Sequence, residues 1–544
     1  MKRREIVKQL STIPFAGGLI SAAAATQAAA NGLPLSTPLD KKPVATGSIY
    51  DSIGVDPIIN CRGTFTIIGG SVERPEVVNA MKAASGYFVQ YDELAYGVGK
   101  RLAELTGAEW GMVSSGCAAG LKHVTAACVT DGNPEKLIRI PNLTGFTKTE
   151  VIIPKHSRNV YDHALRNIGV TIITVDSAEE LKAAINSRTA LIYLMASEET
   201  MPGQPLSTEV IAQIAKPHNI PILIDAAAEV LTIPNVHLAH GATVVAYSGG
   251  KAICGPQCAG LLLGKKDLLM SAWQASSPHH GPGRDNKVGK EEMMGMLAGV
   301  EAWTKRDHAA EWKVWLSYLD TISKEVTKVA GVTTKVFEPT ELSNKSPVLN
   351  VSWEVNKFNI TGEEVAELFA RTKPRVAIGG RTEGDVTSLS ITTGQMQPGN
   401  DKVVAQRIVA VLSEKRPAKD DTMPAPGGNV AGLWDVTMEF FSGTSNHQFR
   451  IEQDGNWLQG LHISDFSNNE LVGMIEGNEI KIRTNYRAAG DGITYLFSGQ
   501  LNNGEFSGSV YMGEYQTAKF KARKRVYKLA RKRIVIPGGP PLAT

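Results

Sequence analysis

The sequence predicts an α/β fold: a mostly parallel sheet with helices on both faces, followed by an antiparallel β-barrel-like domain. Three observations predict it. From Ile58 to about residue 265, short apolar runs alternate with stretches of helical periodicity, the pattern of a sheet covered on both sides. Residues 415–429 hold three prolines and paired glycines, which reads as a linker. From residue 430 to 525 the period drops to two, with turn pairs such as Asp454-Gly455 and Asn502-Asn503-Gly504 between runs.

Taken in order, residues 1–30 read as an export signal. Lys2-Arg3-Arg4 opens a basic segment, a weakly apolar stretch follows, and Ala28-Ala29-Ala30 offers small residues for cleavage. The paired arginines favour the twin-arginine route, which carries folded proteins, so the expected location is periplasmic or exported. Residues 31–50 read as an arm. No later segment is apolar and long enough to span a bilayer. The net charge of +3 is the signal's own, leaving a near-neutral remainder, so nothing global points to nucleic acid or a membrane surface. Five cysteines without zinc spacing read as small buried side chains, and no metal is expected.

Residues 51–300 make the expected large domain. Pro75 opens a helix at its first position. Asp92 to Leu105 is a helix stopped by Gly107, and Glu109 to Val113 is a strand leading into a helical stretch to Thr130. Strands follow at Val151–Ile153 and Val170–Val175, then a capping box at Ser177-Ala-Glu-Glu180. Strand Ala190–Met195, helix Ser207–His218 and strands Ile220–Asp225, Ala242–Tyr247 and Ala259–Leu263 complete it. Residues 301–414 make a helical connection and a small subdomain. One helical stretch is read over Glu291–Ala330, then strand Val348–Trp353, helix Gly362–Arg371 and strand Leu389–Thr393. Residues 526–544 form a basic, Pro/Gly-rich tail, read as solvated or partner-facing; Lys519 to Arg533 carries nine Lys/Arg and no acid.

Parallel sheets place ligands beyond the carboxyl ends of their strands. Three features stand there. Ser114-Ser115-Gly116, at a strand-to-helix junction, presents backbone N–H groups and hydroxyls to an anion, helped by the helix dipole. Asp225 ends the strand Ile222-Leu-Ile-Asp225, where a buried carboxylate needs a cation such as a pyridinium nitrogen. Lys251 follows the next strand in Ser248-Gly-Gly-Lys251, with Ser248 as a further hydroxyl for the same anion.

Phosphate turn, aspartate and lysine in this order resemble the fold-type I pyridoxal-phosphate enzymes. Within them the chain is most similar to the branch of selenocysteine synthase and D-glucosaminate-6-phosphate ammonia-lyase, with an aminotransferase class V-like fold. The resemblance rests on Ile59-Asn-Cys-Arg-Gly-Thr, Gly69-Gly-Ser-Val, Tyr91-Asp-Glu-Leu, Leu105-Thr-Gly-Ala-Glu and Val113-Ser-Ser-Gly-Cys-Ala-Ala-Gly. It also rests on Tyr161-Asp-His-Ala-Leu-Arg, Ser248-Gly-Gly-Lys-Ala-Ile-Cys-Gly-Pro-Gln and Lys287-Val-Gly-Lys-Glu-Glu, and spans residues 50–415.

The resemblance implies pyridoxal 5'-phosphate as cofactor. Lys251 would hold it as a Schiff base and act as the base at Cα, Asp225 would meet the ring nitrogen, and Ser114, Ser115, Gly116 and Ser248 would bind the phosphate. His156 is the candidate to stack on the ring. Arg284 and Lys290 would reach the phosphate of a neighbouring subunit, in a homodimer or larger homo-oligomer. Arg375 is the first candidate for the substrate carboxylate and Arg62 its competitor. The implied reaction removes a Cα proton from an amino acid or amino sugar acid, with β-elimination and ammonia release. Transamination, racemisation and aldol cleavage stay open, as does an inactive core serving a periplasmic binding module. An exported protein meets no aminoacyl-tRNA, so no nucleic-acid partner is expected, and the β domain has no counterpart in these relatives.

Overall fold

The computed structural model describes residues 48–420, 422–485, 492–526, 532–536 and 538–540. The expected signal and most of the arm lie outside these residues, as does part of the tail. The chain divides between Lys419 and Asp420 into two compact units.

The first unit is built on a seven-stranded sheet. Strand β1 (Ile58–Asn60) precedes it, followed by helices α1 (Pro75–Ser85) and α2 (Tyr91–Thr106). Pro75 sits at the first helical position, and Gly107 caps α2 in the left-handed conformation (φ 73°). Then come β2 (Trp110–Ser114), α3 (Cys117–Thr130), β3 (Glu150–Pro154), β4 (Thr171–Val175), α4 (Ala178–Ala184) and β5 (Thr189–Met195). Helix α5 (Thr208–Ala215), β6 (Ile222–Asp225), β7 (Val244–Ser248), β8 (Gly260–Gly264), α6 (Lys266–Ala275) and α7 (Lys290–Trp303) follow.

The strand order is β2-β8-β7-β6-β5-β3-β4. All neighbours are parallel except β8, which runs antiparallel to both β2 and β7. Strands β3, β6 and β8 are buried at every position, as expected of strands covered on both faces. Their Ile, Leu and Val side chains form one apolar core with those of α3 and α7. The Ser177 cap of α4 accepts from the Glu180 N–H, but Glu180 answers to the Asp176 N–H at 2.8 Å, so the capping box read from sequence is displaced by one residue.

The smaller subdomain of this unit begins with α8 (His308–Val326). The single helix read from Glu291 onward is two, because Asp307 starts a new one by accepting from the Ala310 N–H at 2.9 Å. Strands β9 (Thr333–Phe337), β10 (Val348–Glu354), β12 (Gly379–Glu383) and β13 (Val386–Thr392) form a sheet in the order β12-β13-β10-β9. Helices α9 (Gly362–Arg371) and α10 (Asn400–Ser413) flank it, and β11 (Arg375–Ala377) pairs in parallel with β1.

The second unit is a closed antiparallel barrel of eight strands. They are β14 (Gly432–Glu439), β15 (Thr444–Asp454), β16 (Trp457–Ile463), β17 (Asn468–Glu476), β18 (Glu479–Asn485), β19 (Leu496–Asn502), β20 (Glu505–Tyr511) and β21 (Thr517–Lys524). Each pairs with the next, and β21 returns to β14 with Trp434 opposite Lys524. Closure leaves no free edge. Alternate residues such as Trp434, Val436 and Met438 fill the interior.

Candidate functional site

Asp225 closes β6 at the carboxyl edge of the sheet and is only 6% exposed. Three donors reach it. The Tyr193 hydroxyl, from adjacent β5, lies 3.0 Å from Oδ2. The Ala227 N–H lies 3.1 Å and the Cys117 thiol 3.5 Å from Oδ1. Burial nevertheless raises the carboxyl above its ordinary range, against the pull of these donors and of the Lys251 ammonium. The Cys117 thiol and the Tyr193 hydroxyl are both pushed up, first by burial and then by the charge of Asp225. Tyr193 is itself positioned by the Asn159 amide, 3.2 Å from its oxygen.

Lys251 follows β7, next to β6, and its charge acts on both Asp225 and Cys117. The loop carrying it is strapped on every side. Gly249 donates to the Ala259 carbonyl and Gly255 to that of Gly249, each at 2.8 Å. Ser71 donates to the Gly250 carbonyl at 3.0 Å, and Arg306 to that of Ala252 at 3.1 Å. A Cβ at Gly250 would stand 2.5 Å from the Gln257 Cα, so the loop needs a glycine before its lysine.

The anion-shaped turn is assembled by register. Antiparallel β8 lies between β2 and β7, and its Gly260 stands opposite Ser114 on one side and Ser248 on the other. Gly116 turns with φ 83° into α3, whose first N–H groups face away from the helix. A Cβ at Gly260 would lie 2.5 to 2.7 Å from the Gly116–Cys117 peptide, so that glycine lets the turn settle. Ser114 is fully buried and donates to the Gly116 carbonyl at 2.8 Å, so its hydroxyl holds the turn together. Ser115 and Ser248 are half-buried.

His156 lies in a 3-10 turn just past β3, with its Nε2 buried and unpartnered. Burial lowers its pKa, against Glu199 and Asp176. Arg284 is exposed and donates to the Ser277 hydroxyl at 3.1 Å. Lys290 begins α7, donating its N–H to the Tyr91 hydroxyl at 3.1 Å and pairing its ammonium with Glu291. The root of this loop is pinned by buried Lys122 of α3, 2.8 Å from both Asp285 and Asn286.

The two arginines lie at opposite ends of the β1–β11 ladder. Arg375 stands opposite Ile58 and donates to the Ala370 carbonyl at 2.7 Å. Arg62 lies two residues past Asn60, in a turn held by the Asn60 side chain, with its guanidinium 5.2 Å from the centre of the Phe65 ring. The chain after Arg62 runs to the lysine loop, where Gln257 donates to the Thr66 carbonyl at 3.3 Å. Among the described residues no three His, Cys, Asp or Glu side chains converge on a metal-sized site.

Tyr193, Cys117 and Asn159 were not expected at the site. The available signal was Tyr193 itself, a hydroxyl within the otherwise apolar run Ala190–Met195 that has to find a partner.

An aminotransferase class-V family model matches residues 163–288. The chain is 29% identical to D-glucosaminate-6-phosphate ammonia lyase of Salmonella typhimurium over 295 residues, covering 53% of this chain and 77% of that one. It is 26% identical to 5'-C-glycyluridine monooxygenase-decarboxylase of a Streptomyces species over 297 residues, covering 53% and 73%. A solved structure of a D-glucosaminate-6-phosphate ammonia-lyase superposes with a TM-score of 0.60 at 25% identity, covering 68% of this chain and 98% of that one.

Proposed function

The chain carries the pyridoxal-phosphate core of the aminotransferase class-V, fold-type I enzymes, and on that premise we propose that it is an exported lyase that takes the Cα proton from an amino acid or 2-amino sugar acid and releases ammonia. The observation that carries this reading is the pair Lys251 and Asp225, electrostatically coupled at the ends of adjacent strands.

The residues present fit the cofactor. Asp225 is a buried carboxylate that three donors do not fully compensate, which suits a pyridinium nitrogen. Gly260 leaves room for the Gly116–Cys117 peptide, the turn that opens α3 and its first N–H groups. His156, whose Nε2 is buried and unpartnered just past β3, is our candidate to stack on the flat heterocycle. Lys251 would bond the aldehyde, and Ser115, Ser248 and the first N–H groups of α3 would take the phosphate. Once bound, pyridoxal phosphate supplies an electron sink that lets a Cα–H bond ionise.

The chain's own residues do the rest. Asn159 orients Tyr193, and Tyr193, Cys117 and the Ala227 N–H hold Asp225 against one edge of the site. Lys251 would take the Cα proton and pass it to the β-substituent as that group leaves, and water would hydrolyse the released enamine to keto acid and ammonia. Arg62 lies on the lysine-loop side of the β1–β11 ladder and is our choice for the substrate carboxylate over Arg375.

Residues 1–30 serve export in this reading. The working form is a homodimer, with the loop Gly283–Lys290 offered to the neighbour. Exposed Arg284, on a loop pinned at its root by Lys122, supports it, as does Phe88, fully exposed between α1 and α2.

The test has two stages. The purified protein should be yellow, and borohydride or Lys251→Ala should remove the colour. It should then release ammonia and a keto acid from members of a panel of D- and L-amino acids and 2-amino sugar acids. A keto acid formed only with an amino acceptor, or inversion at Cα without ammonia, would replace the lyase by an aminotransferase or racemase.

A further inference from the structure

The barrel has two unlike ends. Around one, Trp434, Ile451, Leu458, Ile475, Ile480 and Phe506 close an apolar interior. At the other, four successive strands turn polar side chains inward: His447 from β15, His462 from β16, Asn469 from β17 and Thr484 from β18, each no more than 3% exposed. Tyr495, just before β19, stands edge-on to both imidazoles at 5.0 and 5.9 Å.

This polar layer is incompletely satisfied. His447 Nδ1 and His462 Nε2 share one hydrogen bond of 2.9 Å, which leaves His462 Nδ1 over. That atom is buried without a partner, and so is Asn469 Oδ1 on the residue directly across the β16–β17 ladder. Unmet polar atoms buried in a barrel are costly unless something fills the gap. With His447 donating, His462 Nδ1 carries a proton to give while Asn469 Oδ1 can only accept. A hydroxyl group, donor and acceptor at once, meets both.

The turns above this end carry exposed aromatics. Phe441, in the β14–β15 turn, is 82% exposed, Phe466, in the β16–β17 turn, is 100% exposed, and Tyr515, between β20 and β21, is 58% exposed. Among the described residues of these turns the charged groups are acidic: Glu514 bonds Tyr515, and Asp465 accepts from the Ser445 hydroxyl at 2.6 Å, its charge reaching His447 and Tyr495. Buried imidazoles kept neutral and a negative rim disfavour an anion. Exposed rings above hydroxyl-seeking atoms suit the C–H faces and hydroxyls of a sugar.

We propose that this end of the barrel is a binding site for a neutral saccharide, whose ring lies against Phe441 and Phe466 and whose hydroxyl bridges His462 and Asn469. The site stands apart from the reading of Lys251. Small eight-stranded barrels hold ligands at such a mouth.

The full chain is titrated calorimetrically with cellobiose, maltose and N,N'-diacetylchitobiose, with gluconate as the anionic control. At least one neutral sugar should bind with a dissociation constant of about 1 mM or tighter. Phe466→Ser, on an exposed turn, should weaken it about fivefold, the scale of one aromatic contact. His462→Phe should abolish it, and Lys251→Ala should leave it unchanged. No saturable binding of any of the three sugars, equal binding of gluconate, or loss of binding with Lys251→Ala would each overturn the proposal. Should His462→Phe fail to fold, the Phe466 variant still decides.

Discussion

The Tyr193 hydroxyl points at Asp225 across one strand spacing, 3.0 Å from its carboxylate, while the Asn159 amide holds the same hydroxyl from the other side at 3.2 Å. Removing this donor leaves Asp225 with its burial and one fewer compensating bond. Tyr193→Phe should therefore lower kcat/KM for ammonia release about tenfold, the equivalent of one hydrogen bond to a charged group. Cofactor release on dilution, followed by absorbance, should quicken in parallel.

Gly260→Ala places a Cβ within 2.7 Å of backbone that cannot move aside. Overpacking of this kind costs about 1–3 kcal/mol. Thermal unfolding should show that loss, and titration with pyridoxal phosphate should show weaker uptake than in the wild type. Ser115→Ala, which adds no atoms, should weaken uptake without the thermal penalty.

If Arg284 completes a neighbour's site, Arg284→Ala and Lys251→Ala should each be inactive alone and recover activity when mixed. In a two-fold dimer, random pairing restores about a quarter of wild-type turnover. A mixture that stays inactive after subunit exchange, verified by mass spectrometry, would remove Arg284 from the partner's site.

The barrel should weaken in acid. His462 is pushed from its ordinary 6.5 to about 3 by burial and by His447, which is itself lowered. The unfolded chain takes the proton that the folded one refuses, so stability is complete above about 6.5 and falls as the pH drops toward about 3. The slope is up to ~1.4 kcal/mol per pH unit for this one residue. Hydrogen exchange of the barrel amides between pH 7 and pH 4, wild type against His462→Phe, should show the variant with the flatter dependence.

The positions of Asp225 and Lys251 were legible because Asp225 ends a short apolar run and Lys251 follows another after Ser248-Gly-Gly, and the residues just past such a run sit at a sheet edge. What the sequence withheld was register. Nothing in Ala259–Leu263 reveals that β8 runs against its neighbours, and that reversal is what puts Gly260 between Ser114 and Ser248. Tyr193 and Cys117 lay beyond the sequence for a like reason, since their contacts with Asp225 are made from a neighbouring strand and from a helix and not along the chain. Helices α6 and α10 went unread too. The barrel's turns were visible in Asp454-Gly455 and Asn502-Asn503-Gly504, but its closure depends on β14 meeting β21, residues some ninety positions apart.

The straps on the lysine loop come from far along the chain: Ser71 from before the sheet begins and Arg306 from after it ends. The native seat of the amine at 251 is thus complete only when both flanks are docked. Vitamin B6 capture then becomes a certificate of finished folding, and a molecule that acquires colour has already passed its own inspection.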